Sequence, residues 1–352
     1  MAGAVHHGGG AWIQPYGRRA ARCHRSPAAR GRGMTLVSVR DLTIAFGGAL
    51  ALRALSFDLR RGELLGVVGE SGSGKTLAAL SLMGMAPEAA RVSGAISFDG
   101  ERVDTLPETG WQSLQGRRIA MIFQEPMSAL NPLQRIGTQI TEAMIWHEGI
   151  SRAEADARAL ALLGEVGMPE PQARLRMYPH QLSGGQRQRA LIAMALACNP
   201  DLVLADEPTT ALDATRTAQA LDLLRGLARA RGMALILISH DLAAIERVAE
   251  RMLVLYGGDL MEEGPVAEIL SRPAHPYTAG LIRARPRPRP PGVPRRPLPT
   301  IPGSVPGLAD LPRGCRFHGR CPKGRPVCAE GRPPLVDIAP GRRAACLFPE
   351  PV

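Results

Sequence analysis

Three short stretches of the chain carry residues that could do phosphate chemistry. The first, GESGSGKT at residues 69–76, follows the apolar run ELLGVVG and precedes KTLAALSLMGM, which reads as a helix. A Gly-rich turn between strand and helix, ending in Gly-Lys-Thr, can wrap an anion in backbone N–H groups. Gly69, Ser71, Gly72, Ser73 and Gly74 form the loop. Glycines let its backbone turn inward, and the helix start adds partial positive charge. Lys75 can reach the β- and γ-phosphates of a nucleotide, and Thr76 can offer its hydroxyl to Mg²⁺. The second stretch, LVLADEP at 202–208, ends a strand with two adjacent carboxylates. Asp206 is placed to partner Mg²⁺, while Glu207 points to the other side and can polarise a water. A positioned general base contributes about 10²–10⁴ in rate. The third, QLSGGQRQRA at 181–190, puts Ser183, Gly184, Gly185 and Gln186 at a helix start, a second small-residue anion site. One nucleotide in one chain does not need two such sites. Two chains arranged head to tail do, each nucleotide lying between the phosphate loop of one and the Ser-Gly-Gly segment of the other.

The elements that must position these residues follow from apolar patterning. TLVSVRDLTIAF and ALRALSFDLR read as strands joined by a turn, and VSGAISFDGERV reads as a hairpin with Asp99-Gly100 at its turn. RIAMIFQ, DLVLADEP, MALILISH and RMLVLYGGDL read as further strands, with TRTAQALDLLRGLARA and DLAAIERVAE as helices among them. Strands alternating with helices predict an α/β fold with a largely parallel sheet. Residues from about 135 to 198 read mainly as helices, an inserted helical block.

At 352 residues the chain can hold one large domain and a smaller one. Its longest apolar runs, MALILIS and ALIAMALAC, fall far short of the roughly 18–20 residues a membrane-spanning helix needs. Any membrane part is therefore expected in other chains. The net charge of +11 suggests nucleic acid, but its distribution argues otherwise. Residues 1–33 hold six Arg and no acid, and residues 283–297 hold six more and no acid, leaving the remainder near −1. The first segment has no apolar signal-peptide core and reads as a disordered basic tail, or as sequence upstream of a start at Met34; Cys23 within it carries no inference. The second reads as a stiff Pro/Arg linker.

Taken in order, these motifs resemble the ATP-binding subunits of ABC transporters, from about residue 35 to 350. The resemblance implies a P-loop, RecA-like ATPase core with an N-terminal antiparallel β subdomain, an inserted α-helical subdomain at about 125–190 and a small cysteine-containing C-terminal extension. The domain boundaries expected are a tail at 1–33, a nucleotide-binding domain at 34–272 and the extension at 273–352. It assigns Phe46 to stacking on adenine, Gln124 in IFQEPMSALNP to sensing Mg²⁺ and water and contacting the membrane partner, Asp213 in TTALDA to the dimer interface, and His240 in LISHD to the γ-phosphate. Each alone has an ordinary role: Phe46 in the core, Gln124 as a strand-end amide, His240 as a helix cap. ATP and Mg²⁺ are the implied cofactors. The 108 residues from Lys75 to Ser183 contain no heptad run, which argues against DNA-repair or chromosome ATPases of the same superfamily.

A narrower resemblance rests on YPHQLSGGQRQRALIAMALACNPDLVLADEPTTALDAT, RPAHPYTAGLI and LPRGCRFHGRCP. These are similar to the oligopeptide/dipeptide import ATPases, and nickel importers share them. The implied partners are a second ATPase subunit, identical or paralogous, two permease subunits and an extracytoplasmic binding protein. No nucleic acid is expected, and the implied location is the cytoplasmic face of the plasma membrane, peripherally bound. The tail also gathers Cys315, Cys321, Cys328 and Cys346, with five, six and seventeen residues between successive members. A segment this poor in large apolar residues needs a staple, and a reducing compartment disfavours disulfides. The spacing lacks the paired C-x₂-C knuckles usual for zinc. With the resemblance, which includes members carrying such a cluster, this predicts a structural [4Fe–4S] group on the four cysteines. Zn²⁺ is the alternative and His318 a possible substitute ligand.

Overall fold

The computed structural model describes residues 34–124, 129–209, 213–286 and 299–351. The basic tail, with Cys23, and most of the Pro/Arg linker lie outside the described residues.

Two sheets organise the chain. In the first, β1 (Thr35–Phe46) pairs antiparallel with β2 (Ala49–Arg60) on one side and β4 (Arg91–Phe98) on the other, and β4 turns back into β5 (Glu101–Arg102). The expected Asp99-Gly100 turn is present, with φ of 56° and 84°, the left-handed pair that a tight hairpin needs. The second sheet has eight strands in the order β11 (Val336–Ala339), β12 (Arg342–Ala344), β10 (Asp259–Pro265), β9 (Arg251–Tyr256), β3 (Leu64–Val68), β8 (Ala234–Ser239), β7 (Leu202–Asp206), β6 (Ile119–Ile122). From β9 to β6 the neighbours run parallel; from β9 to β11 they run antiparallel. Every residue of LLGVV in β3 and ALILIS in β8 is buried, as parallel strands covered on both faces require.

The helices are α1 (Lys75–Leu82), α2 (Glu108–Leu114), α3 (Ile136–Glu148), α4 (Arg152–Glu165), α5 (Pro171–Leu175), α6 (Gly184–Ala195), α7 (Ala214–Arg231), α8 (Leu242–Val248), α9 (Val266–Ser271), α10 (Pro276–Ala284) and α11 (Val327–Glu330). Their ends follow from sequence. The Ser151 hydroxyl accepts the Glu154 N–H to start α4, and left-handed Gly149 and Gly232 end α3 and α7. One core lies between the two sheets, where Val39, Ile44 and Leu52 meet Val67, Leu204 and Ile236 with Ala79 and Leu82 of α1. The other joins the opposite sheet face to the helical block through Ile140, Leu163, Ala190, Leu224 and Ile245, and continues to Tyr277 and Phe317.

Two details depart from the sequence reading. RMLVLYGGDL, read as one strand, folds back at Gly257-Gly258, whose φ values of 53° and 86° make the β9–β10 turn. The cysteine-bearing extension, read as a small module stapled by metal, also joins the main sheet, because β12 pairs with β10. Its anchor is a buried ion pair: Glu262 accepts from Arg342 at 2.9 Å and from the Ala274 and His275 N–H groups at 2.9 Å each. These partners offset the cost of burying the Glu262 carboxylate.

Candidate functional site

The phosphate loop runs from the end of β3 into α1 with left-handed glycines at Gly72 (φ 77°) and Gly74 (φ 88°). Gly69 is required for a different reason: a Cβ there would lie 2.1 Å from the Leu255 carbonyl of β9. Ser71 and Gly72 are exposed and Ser73 is buried. The Lys75 ammonium is buried and donates to the Gly69 and Glu70 carbonyls at 2.8 and 2.9 Å and to Ser73 Oγ at 3.3 Å. Burial lowers its pKa, opposed by the carboxylates of Glu207, Asp206 and Glu70.

The two carboxylates at the end of β7 take different partners. Asp206 is buried and accepts a hydrogen bond from the Thr76 hydroxyl; desolvation raises its pKa. A buried carboxylate beside a hydroxyl suits a hard divalent cation. Glu207 adopts a left-handed φ of 45°, unusual outside glycine, and its N–H donates to the Ile238 carbonyl at 2.9 Å. That backbone sends its side chain toward two partners. Gln124 Nε2 donates to Glu207 Oε2 at 3.2 Å, and His240 Nδ1 lies 2.9 Å from Glu207 Oε1. Gln124, Glu207 and His240 thus meet from the ends of three neighbouring strands of the sheet, with Lys75 and Asp206 adjoining. His240 is largely exposed.

Ser183 and its neighbours are arranged differently. Ser183 caps α6, its hydroxyl accepting the Gln186 N–H at 3.4 Å while Gln186 Oε1 accepts the Ser183 N–H at 3.0 Å. Ser183 and Gly184 are exposed, Gly185 and Gln186 half-buried. The cavity beside them is lined from α6 and α7, including Gln188, Arg189 and Arg216, and by no residue of the phosphate loop. Asp213 caps α7 by accepting the Arg216 N–H at 2.9 Å and is exposed. Phe46 ends β1, half-buried against the inter-sheet core.

Cys315, Cys321, Cys328 and Cys346 line one small pocket together with His275, His318 and Phe348. The four thiols are unbridged. Burial pushes Cys315 up to about 11 and raises Cys321 and Cys346, so these are neutral thiols at pH 7. Among the described residues, no group of three or more His, Cys, Asp or Glu side chains is arranged to hold a metal ion. The pocket gathers the expected donors without forming a finished site.

Sequence reasoning missed the contacts that back the phosphate loop. The Glu70 N–H donates to the Tyr277 hydroxyl at 2.9 Å, and Arg320 donates to the Glu70 carboxylate at 2.9 Å. Tyr277 lies within RPAHPYTAGLI and Arg320 within CRFHGRC; both motifs were visible, but neither periodicity nor spacing links them to residue 70.

Comparison with known proteins agrees with this geometry. Residues 52–210 match the ABC transporter family, and residues 261–328 match the oligopeptide/dipeptide transporter C-terminal region. The chain is 44% identical over 327 residues to the oligopeptide transport ATP-binding protein OppD of Escherichia coli, covering 92% of this chain and 96% of that protein. It is 43% identical over 321 residues to the dipeptide transport ATP-binding protein DppD of the same organism, covering 90% and 97%. A solved dimeric ATP-binding cassette, in a post-hydrolysis state with ADP and Pi, superposes with a TM-score of 0.58 at 28% identity, over 66% of this chain and 99% of that one. Phosphate loop, paired carboxylates and C-terminal region thus lead to one conclusion: the chain belongs to the ABC transporter family, in the branch that carries the oligopeptide/dipeptide transporter C-terminal region.

Proposed function

We propose that this chain is the ATP-hydrolysing subunit that energises import of di- or oligopeptides. The observation that carries the reading is the Glu207 carboxylate held between Gln124 and His240 beside Lys75 and Asp206. Lys75 now donates to loop carbonyls; in the ATP complex it turns those N–H bonds to the β- and γ-phosphates. Thr76 and Asp206 would hold Mg²⁺, which supplies charge neutralisation on the phosphates. Gln124 and His240 fix Glu207, which orients a water and accepts its proton as the water oxygen bonds to the γ-phosphorus and the bond to the β-phosphate bridge breaks. Phe46 stacks on adenine. Ser183, Gly184, Gly185, Gln186 and Asp213 serve the nucleotide of a second, facing subunit.

No described helix is long and apolar enough to cross a membrane. In this reading the transport path belongs to two permease subunits, with an extracytoplasmic binding protein delivering cargo and this chain bound peripherally on the cytoplasmic side. The four-cysteine pocket supplies four soft donors, a set suited to [4Fe–4S] or, failing that, Zn²⁺. Binding either group requires the buried thiols to lose their protons and close in. Its role there is structural.

The test is phosphate release by the purified chain with Mg-ATP, then with permease, partner ATPase and binding protein in liposomes. Peptide-stimulated hydrolysis is expected; stimulation by nickel alone, or none by peptide, overturns the cargo assignment. Iron and sulfide analysis of anaerobically purified protein tests the cluster, and stoichiometric zinc without sulfide excludes it.

A further inference from the structure

The extension reaches the back of the phosphate loop through one side chain. Arg320 is nearly buried, with its side chain 9% exposed. Its guanidinium is held by the carbonyls of Pro302 and Gly303 at 2.8 and 3.1 Å, by the Tyr256 hydroxyl at 3.2 Å, and by the Tyr256 ring, 5.6 Å from the ring centre. It also donates to the Ile301 carbonyl at 3.4 Å and to the carboxylate of Glu70, second residue of the phosphate loop. Glu70 is close enough to Lys75 for its charge to act on the ammonium. Behind this pair, Tyr256 packs edge to face with Tyr277 and Phe317, which tilt against each other, with centres 4.7–5.2 Å apart, and Tyr277 also holds the Glu70 N–H. The next residue after Arg320 is Cys321, one of the four pocket cysteines.

We infer that Arg320 is a positioning residue: it pairs with Glu70 and neutralises its charge beside Lys75, so that the extension sets how tightly the phosphate loop binds ATP. Without Arg320, Glu70 presents an uncompensated carboxylate beside the incoming phosphates and competes with them for the Lys75 ammonium. The inference rests on residues 69–76 being the ATP-phosphate loop.

The experiment measures Mg-ATP affinity of the full chain by titration calorimetry, alongside the melting temperature of each variant. Arg320→Gln is expected to weaken binding about 5–10-fold, at the lower end of typical inter-site couplings. Glu70→Gln added to it should restore affinity to within about twofold, because the offending charge is gone. A purely structural loss would not be repaired by changing residue 70. Arg320→Lys, which keeps a cation but not the fork, is expected to lose about two- to threefold, a loss that Glu70→Gln also erases. Should Arg320→Gln fail to fold, the Lys variant with and without Glu70→Gln decides by the same criterion. Affinity unchanged in Arg320→Gln, or a loss of equal size with Glu or Gln at 70, overturns the inference while leaving the nucleotide site intact. A wild-type chain that binds no Mg-ATP overturns both.

Discussion

The phosphate loop and the Ser183 segment share a design, small residues opening onto a helix start, yet they are finished to different degrees. The loop is braced from within the chain: Lys75 is buried, Gly69 is pressed against β9, and Tyr277 and Arg320 support Glu70 from the extension. The Ser183 segment is closed on itself by its own capping box and faces outward, with no loop residue in the cavity beside it. A site complete within one chain binds; a site that is exposed and self-satisfied waits for a surface from elsewhere. The difference argues that nucleotide binding is a property of the single chain and hydrolysis a property of a pair.

Five variants probe that division. Glu207→Gln should lower turnover about 10²–10⁴-fold, the usual worth of a positioned base, while an ATP-bound dimer accumulates on size-exclusion chromatography. A variant that binds ATP yet stays monomeric under all conditions would break the comparison. Lys75→Ala should weaken Mg-ATP binding by at least about 100-fold, roughly 3 kcal/mol, in a calorimetric titration, because a buried charge-assisted contact is lost. Ser183→Arg should leave binding by the monomer within about twofold but abolish dimer formation and phosphate release. Acid sharpens the contrast from the extension side. Burial holds the His275 imidazole down to about 3, against an ordinary value near 6.5. A depressed pKa contributes stability that is present above about 6.5 and lost as pH falls toward 3, at about 1.4 kcal/mol per pH unit. Thermal melts from pH 7 to 4.5 should show that decline, and His275→Gln, which can still accept the Tyr277 N–H, should flatten it. The smallest effect is Ser183→Ala, about 1 kcal/mol of lost helix cap read from denaturant unfolding.

Much of this was legible in the chain. Continuous apolar runs marked β3, β7 and β8, and the motifs at the ends of β3 and β7 singled out Lys75, Thr76, Asp206 and Glu207, while His240 came through the resemblance. The resemblance supplied separate roles for Gln124 and His240, but their meeting on Glu207 was not read from the sequence, since residues 83 apart leave no periodic trace. Less legible was the extension. Val336–Ala339 and Arg342–Ala344 are too short and too polar to announce strands, and their pairing depends on Arg342 reaching buried Glu262 across 80 residues. The cysteines were conspicuous, but spacing alone could not say that three of their thiols are held neutral by burial. Nor could it connect Arg320 to residue 70.

The left-handed backbone at Glu207 carries a further consequence for anyone evolving this chain in the laboratory. A side chain other than glycine in that conformation costs about 1 kcal/mol or more. A library screened for heat resistance alone should therefore drift at position 207 toward Gly or Asn, which relax the strain, and the survivors would be hardier and inert. A library screened for turnover should keep Glu and accumulate its compensations elsewhere. Position 207 is thus where selection for persistence and selection for work pull the same codon in opposite directions.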